Sequence, residues 1–326
     1  MLESRKKHNN YYSEKLVQRV NELHYDYLGE KYHPSEIFAQ EIDRWKRITK
    51  QFLNTSNLKI LVDIGTGTGF VPLAMADLLK RESIFICCDI SQRILEAAEN
   101  NIKKQNLQCR FKFVKIKSQV PLHLPFETNS ANIVTINSVL HHIKDTSTFL
   151  KEVDRILKPN GVLFIGHEPN KYFYENKFLK YNYLFLKTLT DPKFLVGKIG
   201  EKIHLMKLFK LVYHFIYGER GKEYANYSAA CQKINEILLN ENLIDTPLTL
   251  EEINKIVDIK AERGFKFDSL FPNYGLLYFE TYKHLNWIYI KHYNNYFIQR
   301  YEKYLGRKFP KQGATFFGVF KKPNLK

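Results

Sequence analysis

The sequence predicts an α/β protein in which a parallel sheet is covered by helices on both faces. From residue 58 to residue 169, short apolar segments alternate with amphipathic helical segments. This alternation is typical of parallel strands joined by right-handed helical crossovers. The hydrophobic content of 44% is sufficient for a buried core. No run of 18 uncharged apolar residues occurs, so a transmembrane helix is not expected.

Seven short apolar segments are predicted as strands because each is bounded by glycine, proline or polar residues. In chain order they are 58–64, 84–89, 111–114, 132–136, 162–166, 265–271 and 314–320.

The helices are predicted from apolar residues at helical spacing and from capping residues. Residues 11–53 form two helices, and Ser35 is the N-cap of the second. Ser91 caps the helix after the second strand, and Thr249 opens a helix that ends near Gly264. Further helices are expected at 71–79 and 149–157.

Composition divides the chain into four parts. They are an N-terminal helical cap at 1–53, an α/β core at 54–170, a basic, aromatic helical insertion at 171–248, and a return to the core at 249–326 with a second aromatic insertion at 273–310. The C-terminal 156 residues hold 16 of the 21 tyrosines, so the insertions differ from the core in composition.

A glycine-rich loop follows the first predicted strand. The segment Asp63-Ile64-Gly65-Thr66-Gly67-Thr68-Gly69 lies between a strand and a helix. There the backbone can approach a ligand closely, and the helix N-terminus offers free N–H groups. A dinucleotide fingerprint requires glycine where Phe70 stands, and a P-loop requires a lysine that this loop lacks. Asp89 ends the second strand, where its carboxylate can accept hydrogen bonds from both hydroxyls of a ribose.

From about residue 58 to residue 169 the sequence resembles the core of the class I S-adenosylmethionine (SAM)-dependent methyltransferases, especially their broad small-molecule group. The matching elements are the glycine loop, Asp89 with Ile90-Ser91, Leu124-Pro125-Phe126, Asn137 to Ile143, and Leu157-Lys158-Pro159-Asn160-Gly161. The resemblance implies a Rossmann-like, doubly wound, seven-stranded sheet with an N-terminal helical segment and helical lid insertions. It also implies that the last strand, about 314–321, runs antiparallel between strands five and six.

The resemblance further implies SAM as cofactor, S-adenosylhomocysteine (SAH) as product, and no metal. The predicted cofactor-binding residues are Asp63, Gly65, Thr66, Gly67, Gly69, Asp89, Ile90 and Asn137. Family members commonly place an Asp before the Leu-Pro-Phe element to contact the adenine amino group. Here segment 115–121 contains no acid, so Ser118, Gln119 or a backbone carbonyl is expected to replace it. The four cysteines have no spacing that suits a zinc or iron–sulfur site.

The sulfonium methyl group of SAM is already activated, so the protein mainly has to align the acceptor and exclude water. An oxygen or nitrogen acceptor also requires removal of a proton. Glu168 and His142 are the predicted catalytic residues, because they follow strands five and four at the edge where ligands bind. A capping carboxylate and a turn residue are their structural alternatives. The other candidates are His141 and His167 at the same edge, and Tyr25 and His33 in the N-terminal segment.

The predicted function is methylation of a small or lipid-like acceptor, with the two insertions as a substrate cover. The net charge of +16 and the tyrosines leave nucleic-acid methylation open. The Asn/Asp-Pro-Pro-aromatic motif of base-amine methylation is absent, since strand four ends in Ile136-Asn137-Ser138-Val139. A non-catalytic binding protein with this fold is the third alternative.

The N-terminus, Met1 to Asn10, is charged and lacks an apolar signal core, so a cytoplasmic location is expected. In segment 193–217, Lys207, Lys210 and His214 fall on one side of a helix between apolar residues. This pattern fits a peripheral membrane contact, a lid over an apolar substrate, or an ordinary solvated basic face. The oligomeric state is left open.

Overall fold

The computed structural model describes residues 12–28, 36–53, 59–79, 81–190, 220–261, 263–286, 288–289 and 295–324. His33, Ser35 and the predicted helix at 193–217 lie outside these residues, so the predictions made for them stay predictions. Within the described ranges, no helix has both the length and the apolar character that crossing a bilayer requires.

The strands are β1 Ile60–Ile64, β2 Ile84–Asp89, β3 Arg110–Lys115, β4 Ala131–Asn137, β5 Leu157–Pro169, β6 Gly275–Tyr282 and β7 Thr315–Lys321. The helices are α1 Glu14–Leu28, α2 Glu36–Phe52, α3 Phe70–Met75, α4 Gln92–Lys103, α5 Thr146–Ile156, α6 Lys171–Glu175, α7 Lys177–Thr190, α8 Arg220–Asn240, α9 Leu250–Val257 and α10 Tyr296–Lys308. Short 3₁₀ turns occur at Ala76–Leu78, Leu140–His142 and Phe267–Ser269.

The described strands form one seven-stranded sheet in the order β3-β2-β1-β4-β5-β7-β6. Strands β1 to β5 are mutually parallel. β7 pairs antiparallel with β5 on one side and with β6 on the other. The predicted fold class and the antiparallel last strand are therefore confirmed. Because the order reverses between β1 and β4, the carboxyl ends of these strands border a crevice where ligands bind in open α/β sheets.

The core lies on both faces of this sheet because successive residues of each central strand point to opposite sides. On β1, Leu61 packs into a cluster with Trp45 of α2, whereas Val62 packs into a cluster with Phe149 of α5. Both side chains are at most 1% exposed. This two-sided burial explains why the central strands are largely apolar.

Two of the three predicted caps form as expected, and the third, Ser35, lies outside the described residues. Ser91 accepts a hydrogen bond from the backbone N–H of Ile94 at the start of α4. Thr249 and Glu252 make the reciprocal capping box of α9. The predicted end of that helix near Gly264 is wrong, because α9 ends at Val257. Gly264 instead lies in a later turn with φ of 60°.

The prediction of the sixth strand at 265–271 is also wrong. In this segment Phe267 begins a 3₁₀ turn, and β6 follows at Gly275–Tyr282, inside the predicted second insertion. The error has a packing cause: the side chains of Phe265, Phe267 and Phe271 all enter the core, as they would from a strand. Phe267 stacks on Phe279 of β6 with ring centroids 3.4 Å apart, so the segment covers the sheet and does not extend it.

Candidate functional site

A cavity of about 650 Å³ lies at the carboxyl edge of the sheet. Ligand pockets commonly enclose about 300–1,000 Å³. One side, the glycine-loop end, is bordered by residues 64–68 and by Asp89 and Ile90. The other side, the lysine end, is bordered by Glu41, His167 and Lys283.

The glycine loop is held to β2 by backbone hydrogen bonds. The N–H groups of Gly65 and Thr66 both donate to the carbonyl oxygen of Cys88, at 2.8 and 2.9 Å. Gly65 and Gly67 have φ of 71° and 56°, in the left-handed region that glycine adopts most readily. A Cβ on Gly65 would overlap the side chain of Val139, whereas a Cβ on Gly67 would meet no atom within 4 Å. Open space therefore lies directly beside Gly67.

Asp89 is the acidic group of this end. Its Oδ2 accepts a hydrogen bond from the backbone N–H of Gly67 at 2.9 Å, and its Oδ1 accepts one from Ser91 at 3.0 Å. The residue is 6% exposed and lines the cavity. Burial raises the pKa of Asp89 to about 6, although the backbone N–H groups favour its charged form. Each carboxylate oxygen retains a further lone pair for a ligand hydroxyl.

Two of the predicted cofactor-binding residues lie behind the cavity wall. Asp63 is completely buried, and its Oδ1 accepts a hydrogen bond from Thr135 Oγ1 at 2.6 Å. Burial raises its pKa to about 7. Gly69, with φ of 96°, begins α3, and its Cβ position faces Ile102 of α4. The cavity-lining members of the predicted set are Gly65, Thr66, Gly67, Asp89, Ile90 and Asn137.

Asn137, at the end of β4, is held in place by α2. Its Oδ1 accepts a hydrogen bond from Trp45 Nε1 at 3.1 Å. Gly166 of β5 leaves room for this contact, because a Cβ there would lie 2.7 Å from the Trp45 ring. The Asn137 side-chain nitrogen remains as a donor to a ligand.

The N-terminal helix α1 covers the glycine-loop end with one polar stripe. The stripe consists of Glu14, Gln18, Asn21 and Tyr25, all of which line the cavity. Their spacing of four, three and four residues places them on one helical face. Sequence analysis singled out only Tyr25 from this stripe. The predicted adenine acceptors differ in their contacts: Ser118 Oγ donates to Gln18 Oε1 at 3.4 Å, whereas Gln119 donates to a backbone carbonyl at the surface.

Glu168 is completely buried and supports the turn after β4. Its Oε1 accepts hydrogen bonds from the backbone N–H groups of Val139 and Leu140, at 2.6 and 2.8 Å. Its Oε2 accepts one from the backbone N–H of His141 and lies 2.9 Å from Nδ1 of the same residue. Glu168 does not border the cavity itself, so its carboxylate reaches the cavity only through His141.

The two adjacent histidines have different partners. His142 lies with Nδ1 2.7 Å from the carbonyl oxygen of Val257 and with Nε2 3.0 Å from the hydroxyl of Tyr25. Burial lowers the pKa of His142 well below its usual value. In the neutral ring Nδ1 therefore donates and Nε2 accepts from Tyr25. Burial alone would lower the pKa of His141, but the neighbouring Glu168 carboxylate raises it.

His141, His142 and Asp258 could offer ligand atoms to a metal ion, since these atoms lie within 4.8 Å of one another. Both ring nitrogens of His142 already have protein partners, however, and His141 Nδ1 faces Glu168. The arrangement therefore fits a hydrogen-bonded support for the turn better than a metal centre.

Sequence analysis missed most of the lysine end. Lys283 Nζ lies 3.3 Å from Glu41 Oε1 and 3.3 Å from His167 Nε2. Only His167 was a candidate, because it follows a predicted strand. Glu41 occurs within a predicted helix and Lys283 within a predicted insertion, so nothing local distinguishes either from a surface charge.

The glycine-loop end fits a nucleoside. A ribose needs an acceptor for its two hydroxyls and a close backbone approach, and Asp89 lies beside the open space at Gly67. Ile116, Leu122 and Leu124 border the same cavity and provide apolar surface for a base.

Residues 62–165 match the family model described as "Methyltransferase domain". The matched range begins in β1 and ends in β5, so it contains the glycine loop, Asp89 and Asn137. Residues 62–165 are therefore similar to a methyltransferase domain, and they lie in a sheet with the antiparallel last strand that the resemblance to class I SAM-dependent methyltransferases implies.

Two relatives of this chain are named demethylmenaquinone methyltransferase. The protein of Lactobacillus johnsonii is 32% identical over 117 residues, which are 36% of this chain and 47% of that protein. The protein of Geobacillus stearothermophilus is 30% identical over 152 residues, which are 46% of this chain and 61% of that protein. The chain thus spans only 47% and 61% of the length of these relatives.

Among solved structures, the YcgJ protein of Bacillus subtilis aligns with a TM-score of 0.40 and 14% identity. The alignment covers 87% of this chain and 100% of that chain.

Proposed function

We propose that this methyltransferase transfers a methyl group from SAM to a small, largely apolar acceptor of the quinol type. The observation that carries the proposal is a cavity that joins Gly67 and Asp89 to a second region, where apolar side chains that follow β4 lie beside the lysine end. A nucleoside and an acceptor can therefore lie side by side, away from bulk water.

At the glycine-loop end, Gly65, Gly67, Asp89, Ile90 and Asn137 would hold the cofactor. Asp89 would accept hydrogen bonds from the ribose hydroxyls, and Ile90 would offer apolar surface to the adenosine. When bound, SAM supplies a methyl group that is already activated by its sulfonium. Asp63 and Gly69 act indirectly, because they fix the loop from behind through Thr135 and α4.

His141, supported by Glu168, is the proposed proton acceptor of the site. Its Nδ1 donates to the buried Glu168 carboxylate, which leaves Nε2 as the basic atom on the cavity side. Glu168 orients this ring and is not itself the base. His142 is a weaker candidate than the sequence predicts, since its Nε2 already accepts from Tyr25.

Acceptor chemistry is proposed from the cavity wall and from the relatives. Val139, Ile143, Phe149, Tyr174 and Ala314 give this region an apolar surface. The relatives named for demethylmenaquinone act, by that name, on a quinone-type lipid. An apolar wall with few polar groups suits a molecule of this kind.

The proposal is tested by calorimetric titration of the protein with SAH, together with Asp89→Ala. Wild type is expected to bind SAH. The variant should lose about 1–3 kcal/mol of binding free energy, because the ligand can no longer form hydrogen bonds to the charged carboxylate. Asp77→Ala is the matched control, because Asp77 is an exposed acid on the turn after α3.

In a second arm, wild type with SAM and chemically reduced 1,4-naphthoquinone should yield a product heavier by one methylene unit. A wild type that binds neither SAM nor SAH contradicts the proposal. Binding without methyl transfer to the naphthohydroquinone contradicts the acceptor class alone.

A further inference from the structure

The lysine end contains a cluster of charged and polar groups that the cofactor does not require. Glu41 comes from α2, His167 from the end of β5, and Lys283 directly follows β6. β5 lies two strands away from β1 in the sheet, about 10 Å at the usual spacing, and β6 lies two strands further. The cluster therefore borders the part of the cavity beyond the glycine loop.

The side chain of Lys283 carries an ammonium group that is almost completely shielded from solvent. The residue is 5% exposed, and its Nζ lies 3.3 Å from both Glu41 Oε1 and His167 Nε2. His167 Nδ1 in turn lies 3.8 Å from the same Glu41 oxygen. Lys283 carries three N–H donors, so these two partners leave one of them for a ligand.

The negative charge near Lys283 is shared with another cation. Glu41 Oε2 lies 2.8 Å from Arg44, so one carboxylate serves two basic side chains. The other groups that face Lys283 are the Tyr282 ring, 5.4 Å from Nζ, and the carboxylate of Glu302 at longer range. Glu302 accepts hydrogen bonds from the backbone of residues 284 and 285, which fixes its oxygens there.

Burial acts on every member of this cluster. It lowers the pKa of Lys283 and, together with the charge of Lys283, the pKa of His167. Burial would raise the pKa of Glu41, but the nearby His167 ring and the two basic side chains keep it below its usual value. A buried ammonium with a shared counter-ion is costly, and an anionic ligand oxygen would offset that cost.

The backbone around the cavity is held in an unusual conformation. Among the described residues, seven other than glycine have φ in the left-handed region, and four of them line the cavity: Ser138, His167, Lys283 and Asn286. Such positions cost on the order of 1–3 kcal/mol each and collect at binding sites. Lys283 adopts this conformation where β6 ends and a turn begins, and its carbonyl oxygen accepts a hydrogen bond from the backbone N–H of Asn286 at 2.7 Å.

We propose that Lys283 binds an anionic oxygen of the methyl acceptor, so that the acceptor is a mostly apolar molecule carrying a phenolate, enolate or carboxylate. This inference rests on the methyltransferase function proposed above. Glu41 is a positioning residue, because its carboxylate lies close to both Lys283 and His167 and holds both side chains in place. Lys283 supplies the charge and the remaining N–H donor, and His167 positions Lys283 from the end of β5 by accepting from its Nζ.

The proposal is tested by calorimetric titration of SAH-saturated protein with 1-hydroxy-2-naphthoate and with its neutral amide, 1-hydroxy-2-naphthamide. Wild type is expected to bind the anion about tenfold more tightly than the amide, as one charged hydrogen bond provides. Lys283→Met should remove this preference while changing the affinities for the amide and for SAH by less than about threefold. Lys283→Asn repeats the test with a residue that tolerates the left-handed conformation.

Lys322→Met is the matched control. Lys322 is also a buried lysine, 7% exposed, but its Nζ donates to the carbonyl oxygens of Asp154 and Leu157 outside the cavity. This variant should keep the preference for the anion.

Three results overturn the inference: wild type binds neither probe, wild type binds both equally, or both Lys283 variants keep the preference. Loss of SAH affinity in the Lys283 variants with an unchanged preference also overturns it, since it assigns the lysine to the cofactor. A failure of the proposed function gives a different result, because wild type then does not bind SAH. The affinities for the two probes can still be compared in the absence of SAH.

Discussion

The loop and the acid of the glycine-loop end come from one strand–loop–helix–strand segment, residues 63–91, whereas the lysine end joins three distant parts of the chain. His167 and Lys283 are 116 residues apart in sequence. At the first end, backbone N–H groups and one carboxylate form the surface. At the second end, long charged side chains meet over the ends of β5 and β6.

This difference separates two tasks. A backbone-built site has a fixed shape, which suits a ligand common to a whole family. A site built from side chains on several elements can change one residue at a time, which suits the ligand that distinguishes one family member from another. Glu168 connects the two ends, because it fixes the turn at 139–141 from the end of β5.

The largest effect is expected from Glu168→Gln, which weakens the support shared by both ends. The amide keeps one acceptor oxygen, but its N–H donors then face the backbone N–H donors of the turn. The free energy of unfolding should therefore fall by about 3 kcal/mol. Urea unfolding measures this loss. If Glu168 served only as a catalytic base, activity would fall and the unfolding midpoint would stay unchanged.

The control for this substitution is Glu127→Gln, since Glu127 is exposed. Its unfolding free energy should remain within about 0.5 kcal/mol of wild type.

A matched pair of glycine substitutions sharpens the description of the glycine-loop end. Gly65→Ala adds a methyl group that overlaps Val139, so strain and overpacking should together cost about 2–4 kcal/mol of stability. Gly67→Ala meets open space and should cost only about 1 kcal/mol, while its methyl group still weakens SAH binding. Thermal unfolding and SAH titration of both variants separate the two effects. Equal destabilisation by both would show that the Val139 contact does not shape the loop.

The smallest effect is a pH dependence confined to the glycine-loop end. Because the pKa of Asp89 is raised to about 6, its carboxylate is charged above that pH and becomes neutral as the pH falls through it. SAH affinity should therefore fall about fivefold between pH 7.5 and 5, the difference between a charged and a neutral hydrogen bond. Titrations of wild type and Asp89→Asn measure this change. An equal decrease in Asp89→Asn would assign the pH dependence to another group, such as Asp63.

Most of the sheet could be predicted from the sequence because each parallel strand is a local apolar run. β2 begins and ends at the predicted residues, and β7 differs from its prediction by one residue at each end. The error at 265–271 arose because buried phenylalanines in a turn produce the same pattern as a strand. Only the pairing of β6 with β7 distinguishes the two, and pairing is a non-local property.

The candidate site divides in the same way. Sequence alone indicated the glycine loop, Asp89 and the alternation of strands and helices in the core, because each of these is a local pattern along the chain. Only the tertiary structure decided that Glu168 faces a turn, that α1 covers the cavity, and that Glu41 meets Lys283. Those contacts depend on which elements pack together once the sheet is complete. The burial that makes an unpaired charge costly also exists only in the folded protein.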